Sequence, residues 1–525
     1  MSSPGEFDVV HVISDLHLGG EKGREMFTSE GLLAGWIESL RNESAERRLA
    51  LVLAGDIVDF ISTYRQGTYF CPSDAEKQLE ALFGDGPEQS RDVPLKKLDK
   101  LRDALKVFVR TQNRTLVVLI GNHDVELAIP KVRERLQSLL CGDDLAVRAR
   151  LVFAVDGQGW RCKVGGRVVY AVHGNEADWA NANDYEGMRL VAAGLERGEQ
   201  LLGQGERGLV TRYWKRNFGT SLVVDVLNTV RERAPFIDLL KPEGEPLADI
   251  VEALFPEMLT ERITTLAKVG ARGLLFRYVP RAARTARAFA SSGTLGGDVD
   301  EERESETPRG AREFGTGPQF TSLTARDVDA MEALIREGRA PEELAESGSL
   351  GAREFVQLFV RQALGASTSK VLLESLKRWD DLRNYREIDQ DDEVIRAYQS
   401  RIGPDVDVFI AGHTHAPRAI ERGGRYYFNS GTWIDLVRID EIVKKAETDN
   451  DLKDFDETIK LLKSGKRSDI ETLIDRERIC TVVTVQTAKE NGADVVTATL
   501  HNASMSAPVG DEKKRFTMPV KRGSL

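Results

Sequence analysis

Five short apolar runs in this chain each stop at an aspartate, an asparagine or a histidine. Phe7 to Ser14 ends at Asp15, Leu49 to Ala54 at Gly55-Asp56, and Leu116 to Ile120 at Gly121-Asn122. Val168 to Val172 ends at His173, and Val406 to Ala411 at Gly412-His413. Runs of this length, rich in Val, Ile and Leu and bounded by turn residues, read as buried strands. In layered α/β folds the loops beyond the carboxyl ends of such strands converge on one edge and build the ligand site. The pattern predicts a sheet-centred α/β (α+β) sandwich with flanking helices, and a site where the polar residues meet.

The rest of the chain completes this plan. Leu33, Trp36, Ile37 and Leu40 recur at helical spacing within Leu32 to Asn42, and Leu98, Leu101, Leu105 and Phe108 do so within Leu95 to Arg110. Tyr426 to Asn429, Ile479 to Val485 and Val495 to Leu500 read as further strands. Residues 1–178 form the first part of the core and 403–439 its second part. Between them, 179–402 read as a mostly helical insert or cap. At its centre, about 291–321, apolar residues are almost absent before Phe314, as in a flexible linker. Residues 440–477 suggest a charged helical insertion, 478–510 the final core strands, and 511–525 a C-terminal tail.

The chain has seven histidines in 525 residues, and five lie in short motifs that set imidazole beside carboxylate, amide or a second imidazole. These are Asp15-Leu16-His17, Asn122-His123-Asp124, His173-Gly174-Asn175 and His413-Thr414-His415. His11 and His501 match none and read as structural. In extended backbone, residues two apart face the same way, so Asp15 and His17 can serve one ion. Asp56 follows a glycine that allows close approach, and its two oxygens can bridge. With Asn122, His173, His413 and His415 this makes seven mixed oxygen and nitrogen donors, too many for one tetrahedral zinc and suited to two ions sharing a carboxylate. Two ions about 3.5–4 Å apart acidify a bridging water and clamp a phosphoryl oxygen. Manganese is the first expectation, with iron, zinc or magnesium as alternatives.

The ordered set Asp15-x-His17, Gly55-Asp56-x-x-Asp59, Gly121-Asn122-His123-Asp124, His173 and Gly412-His413-x-His415 resembles the calcineurin-like metallophosphoesterase family. The resemblance covers the core, roughly half the chain, and the large insert has no counterpart in the family's minimal domain. It implies that Asp15, His17, Asp56 and His415 hold one metal, and Asp56, Asn122, His173 and His413 the other. It also implies that His123, oriented by Asp124, stays off the metals and assists the leaving oxygen, while Asp59 orients a ligand. The implied activity is a dinuclear metal-dependent phosphohydrolase in which a bridging hydroxide attacks phosphorus in line.

Departures from relatives narrow the substrate. The family's protein serine/threonine phosphatases carry Arg-Gly after the second aspartate of Gly-Asp-x-x-Asp, where this chain has Phe60-Ile61, and Glu where it has Asp124. Bacterial UDP-diacylglucosamine pyrophosphohydrolases carry Arg in place of His123. Yet His173 to Asp178, followed by Tyr185 and Arg189, is loosely similar to the start of their helical cap. A phosphodiester or nucleotide-type substrate under a lid is therefore expected. A net charge of -11 argues against bulk coating of nucleic acid. Locally, however, Lys268, Arg272, Arg277, Arg281, Arg284 and Arg287 form a basic stretch without an acidic residue. It suits nucleic acid, an anionic membrane surface or a nucleotide, and leaves a nuclease as an alternative. Trp214 with Lys215 and Arg216 is a smaller cluster of the same kind. A non-catalytic binding or sensing scaffold is the alternative from another class. Four scattered cysteines, with neither a signal sequence nor a membrane-length apolar run, lead to the expectation of a reduced, cytoplasmic protein.

Overall fold

A computed structural model of the chain describes residues 5–20, 23–64, 68–86, 95–178, 180–201, 208–228, 231, 237–239, 373, 387–437, 443–446, 452–464, 466–473 and 480–521. The chain divides into two compact units, Met1–Pro256 with Leu372–Leu525 and Glu257–Val371. The second lies wholly outside the described residues, as do the basic stretch from Lys268 to Arg287 and the expected linker 291–321.

The first unit is a mixed α/β structure built on two sheets. One sheet has seven strands, in the order β13-β12-β11-β2-β3-β4-β5. Its parallel half is β2 (Val9–Ile13), β3 (Leu49–Ala54), β4 (Arg114–Leu119) and β5 (Leu151–Ala154). Its antiparallel half is β11 (Thr481–Glu490), β12 (Ala493–Asn502) and β13 (Glu512–Pro519). The other sheet has six strands, in the order β1-β6-β7-β8-β10-β9. These are β1 (Gly5–Phe7), β6 (Trp160–Val164), β7 (Arg167–Ala171), β8 (Val408–Ala411), β9 (Arg418–Arg422) and β10 (Arg425–Asn429). Within it, β7, β8 and β10 run parallel.

Alternation along the strands shows why two sheets form. Val10 and Val12 of β2, Ala50, Val52 and Ala54 of β3, and Val117 and Leu119 of β4 share one buried cluster with Val169, Val408, Ile410 and Phe428 of the six-stranded sheet. The intervening residues Leu49, Leu51, Leu53, Leu116 and Val118 face a second cluster instead. That cluster is closed by helices α1 (Glu30–Ser39), α2 (Pro72–Phe83), α3 (Asp99–Arg110) and α4 (Pro130–Cys141). Strands covered on both faces need apolar residues at every position, which is why these runs are continuous. Small alanines of β3 face the other sheet and larger leucines face the helices.

Two expectations are corrected. Residues 512–519 are not a tail: they form β13, antiparallel to β12, with Met518 buried against Val496. The segment is full of charge because it is an edge strand whose other positions are mostly exposed, so its pattern lacks the apolar signature of a core strand. The insert is also narrower than 179–402. Met188, Val191 and Leu209 belong to the helix-side core, and Val394 and Ile395 cover the outer face of the six-stranded sheet beside Phe409 and Tyr427. Among the described residues no helix is long and apolar enough to cross a membrane.

Candidate metal centre

Each of the five strands named first delivers its polar residue to the same region. Beyond β2 and β3 the chain continues to pair: Asp15 N donates to Gly55 O at 3.1 Å, His17 N to Asp56 O at 2.9 Å, and Leu18 bridges Val58. In the other sheet, Gly412 N donates to His173 O at 2.8 Å beyond the parallel pair β7 and β8. The two sheets are joined across the site by His413 N, which donates to Asp15 Oδ2 at 3.0 Å.

The backbone here is strained. Asp15, His17, Asp56, His413 and His415 all have positive φ, between 43° and 71°, in a region that only glycine enters without cost. They are five of eight such non-glycine residues in the described chain. Each costs about 1 kcal/mol or more, so side-chain placement outweighs backbone comfort at these points. Gly121 is required for a different reason: a Cβ there would overlap Asp56 Oδ1.

The side chains form a tight cluster. Asp15 Oδ1 lies 3.1 Å from His415 Nε2, which is 3.3 Å from His17 Nε2. Asp56 Oδ2 stands 3.7 Å from His17 Nε2 and 3.3 Å from His173 Nε2, while its Oδ1 accepts from His123 N at 2.8 Å. Three groups have donor atoms all within 4.8 Å and could hold a metal ion: Asp15 with His17 and His415, Asp15 with Asp56 and His173, and His17 with Asp56 and His123. Asn122 Oδ1 is buried and makes no hydrogen bond among the described residues. Lone pairs so placed fit a cation, since a buried acceptor without a donor is otherwise costly. His413 lies at the rim: its ring is 5.4 Å from that of His173, edge-on, and its Nε2 is 3.3 Å from Asp178 Oδ2.

Charge in the metal-free protein is balanced by the imidazoles. Burial alone would raise the Asp15 and Asp56 carboxyls, yet nearby His415 for the first and His173 and His123 for the second hold both well below the usual carboxylate range. Burial disfavours charge on His173, but Asp56 outweighs it and pushes the ring up to about 10. His123 is likewise raised against its burial by Asp59 and Asp56. Asp124 is pushed up to about 7 by burial and by the Asp56 carboxylate.

One role moves relative to expectation: Asp59, which does stand beside the candidate ligand His17, also takes the place at His123 expected of Asp124. The carboxylate that meets His123 is Asp59, with Oδ1 at 2.9 Å from Nδ1 and Oδ2 at 3.8 Å from His17 Nδ1. Asp124 instead accepts from Gly121 N at 2.6 Å and Ile57 N at 2.7 Å, tying the second and third motif loops together. Neighbours in sequence point apart where a strand breaks into a loop, so adjacency misleads. Sequence reasoning also passed over Asp392, which accepts from Tyr427 Oη at 2.7 Å and from Asn429 Nδ2 at 3.1 Å. Asn429 in turn donates to Gly412 O at 2.7 Å, bracing the His413-Thr414-His415 loop. Nothing local in the sequence marks Asp392. Trp214 packs on Phe70 and Arg216 stacks over Tyr69 at 3.6 Å, so these two are engaged within the fold. His11 and His501 lie away from the site, bonded to Thr484.

The chain matches no protein-family model, and no curated protein matches it.

Proposed function

We propose that this protein is a dinuclear metal-dependent phosphohydrolase of the calcineurin-like metallophosphoesterase type, acting on phosphodiesters. The observation that carries the reading is the position of Asp56. Its one carboxylate reaches toward His17 on one side and His173 on the other, while Asp15 and His415 close the first side. A carboxylate so placed could serve two ions at once. On this reading Asp15, His17, Asp56 and His415 would hold one ion, and Asp56, Asn122, His173 and His413 the other.

Bound divalent ions, manganese foremost, supply the acidity that makes water a nucleophile at neutral pH and neutralise charge on the phosphoryl oxygens. The chain's own residues do the rest. Asp59 holds His123 at Nδ1, leaving Nε2 to carry a proton to the departing oxygen. Asp59 and Asp56 favour that protonated ring. Asp124 fixes the backbone that presents Asn122 and Asp56. A diester is favoured over a phosphoprotein because Phe60 and Ile61, where the protein phosphatases have Arg-Gly, are buried in the apolar core.

Manganese-loaded protein is expected to hydrolyse bis(p-nitrophenyl) phosphate, and Asp56→Ala to abolish the activity. A wild-type protein that takes up two equivalents of metal yet leaves diesters, monoesters, cyclic nucleotides, nucleotide-sugars and nucleic acids intact would sink the reading.

A further inference from the structure

The loop after His173 carries a pair of residues assigned no role so far. Asn181 Nδ2 donates to Asp178 Oδ2 at 2.6 Å, and Asn181 Oδ1 accepts from Asn122 Nδ2 at 3.3 Å. Asp178 Oδ2 also lies 3.3 Å from His413 Nε2, and its Oδ1 accepts from Ala180 N at 2.9 Å. One carboxamide thus stands between Asn122 and, through Asp178, His413.

The direction of this chain of bonds is set by chemistry. Asp178 accepts at both oxygens, so the group turned toward it from Asn181 must be the NH2. Asn181 Oδ1 must then face Asn122, and the group it meets there must be the NH2 of Asn122. That leaves the carbonyl oxygen of Asn122 as the atom facing the buried cluster, the atom that makes no hydrogen bond among the described residues. At the other end, His413 donates Nε2–H to Asp178, so its lone pair is at Nδ1. Carboxylates behind ligating histidines fix the tautomer in this way. The backbone under the pair is anchored, because Asn181 O accepts from Asn175 Nδ2 at 2.9 Å and from Asn217 Nδ2 at 3.2 Å.

We infer that Asp178 and Asn181 are positioning residues that select, together, the oxygen of Asn122 and the Nδ1 of His413 as donors for the second ion. The inference rests on the two-ion reading above. It goes further by making the second ion's site dependent on the segment that follows His173, so that this ion alone senses whether Asp178 and Asn181 are in place. Gly219 supplies an independent handle: Gly219 N donates to Ala180 O at 2.7 Å, and a Cβ on Gly219 would overlap Asn181 Oδ1.

The test is a calorimetric titration of metal-free full-length protein with Mn2+, with bound metal counted by atomic emission and thermal melts of the metal-free forms alongside. Wild type is expected to take up two equivalents. Asn181→Leu, which keeps the volume but neither hydrogen bond, and Asp178→Asn should each weaken the second equivalent about 10–100-fold, with the first unchanged within about threefold. Gly219→Ala sets a Cβ against Asn181 Oδ1, so it should weaken the second equivalent with the first unchanged, whatever its effect on the melting temperature. The proposal is overturned if all three variants bind both equivalents as wild type does. It is equally overturned if the variants lose both equivalents together, since the residues would then serve folding alone. Wild type binding fewer than two equivalents overturns the two-ion reading itself, a failure distinct from either of these.

Discussion

His123 stands at the mouth of the cluster with 14 % of its side chain exposed, whereas His17, His173 and His415 are at 5 % or less. A proton donor to a leaving group must meet the substrate, and this exposure, which the rim residue His413 shares at 12 %, allows it. The Asp59 partner at 2.9 Å holds the ring through Nδ1 and leaves Nε2 to other contacts. His123→Asn is therefore expected to slow esters with alkoxide leaving groups by about 10²–10⁴ in kcat. Hydrolysis of bis(p-nitrophenyl) phosphate should fall less than about tenfold, because nitrophenolate departs without a proton. Equal losses on both substrates would assign the ring to metal or phosphate binding instead. The sequence showed that a histidine and carboxylates stood together here, but rotamers and loop path chose Asp59 over Asp124 as the partner.

Between the strands that carry the site and the edge strand β13 lies a second use of histidine. His11 of β2 and His501 of β12 meet on the hydroxyl of Thr484 in β11, at 2.8 and 2.7 Å. His11 is held well below the usual imidazole range by burial and by His501, and His501 is lowered by burial. Both are neutral in the folded state near pH 7. An unfolded chain binds protons at these rings once pH falls below about 6.5, while the folded chain resists. Stability conferred by the neutral rings is thus present above about pH 6.5 and lost as pH falls toward the depressed folded values. Replacing His11 by Phe should flatten this acid limb in urea denaturation followed from pH 7.5 to 5. Thr484→Val, which strands both imidazoles, is expected to cost about 1–3 kcal/mol at pH 7.5. At this scale β3 was legible to the residue, Leu49 to Ala54, because both its faces are apolar. β13 was not, because its place comes from pairing with β12 and not from its own pattern.

Taken as one body, the first unit draws its candidate ligands from both sheets: Asp15, His17, Asp56 and Asn122 follow strands of the seven-stranded sheet, His173, His413 and His415 strands of the six-stranded one. Ions held there would cross-link the two layers, and anything that binds only the folded state stabilises it. Chelation is expected to lower Tm by about 5 °C or more, as for ligand at 100-fold over its Kd, with recovery on adding Mn2+. A melt indifferent to chelator and metal would remove the cross-link. What the sequence by itself determined is local: which runs become strands, and which donors stand at their ends, because periodicity and strand termination act over a few residues. What only the tertiary structure decided is which of those donors face each other. His17 and His415 meet at 3.3 Å across 398 residues of sequence, and Asn122 reaches Asn181 across 59. Contacts at such separation are fixed by how the two sheets stack and, at Asp15, His17, Asp56, His413 and His415, by left-handed backbone, and neither is written in any single stretch of the chain.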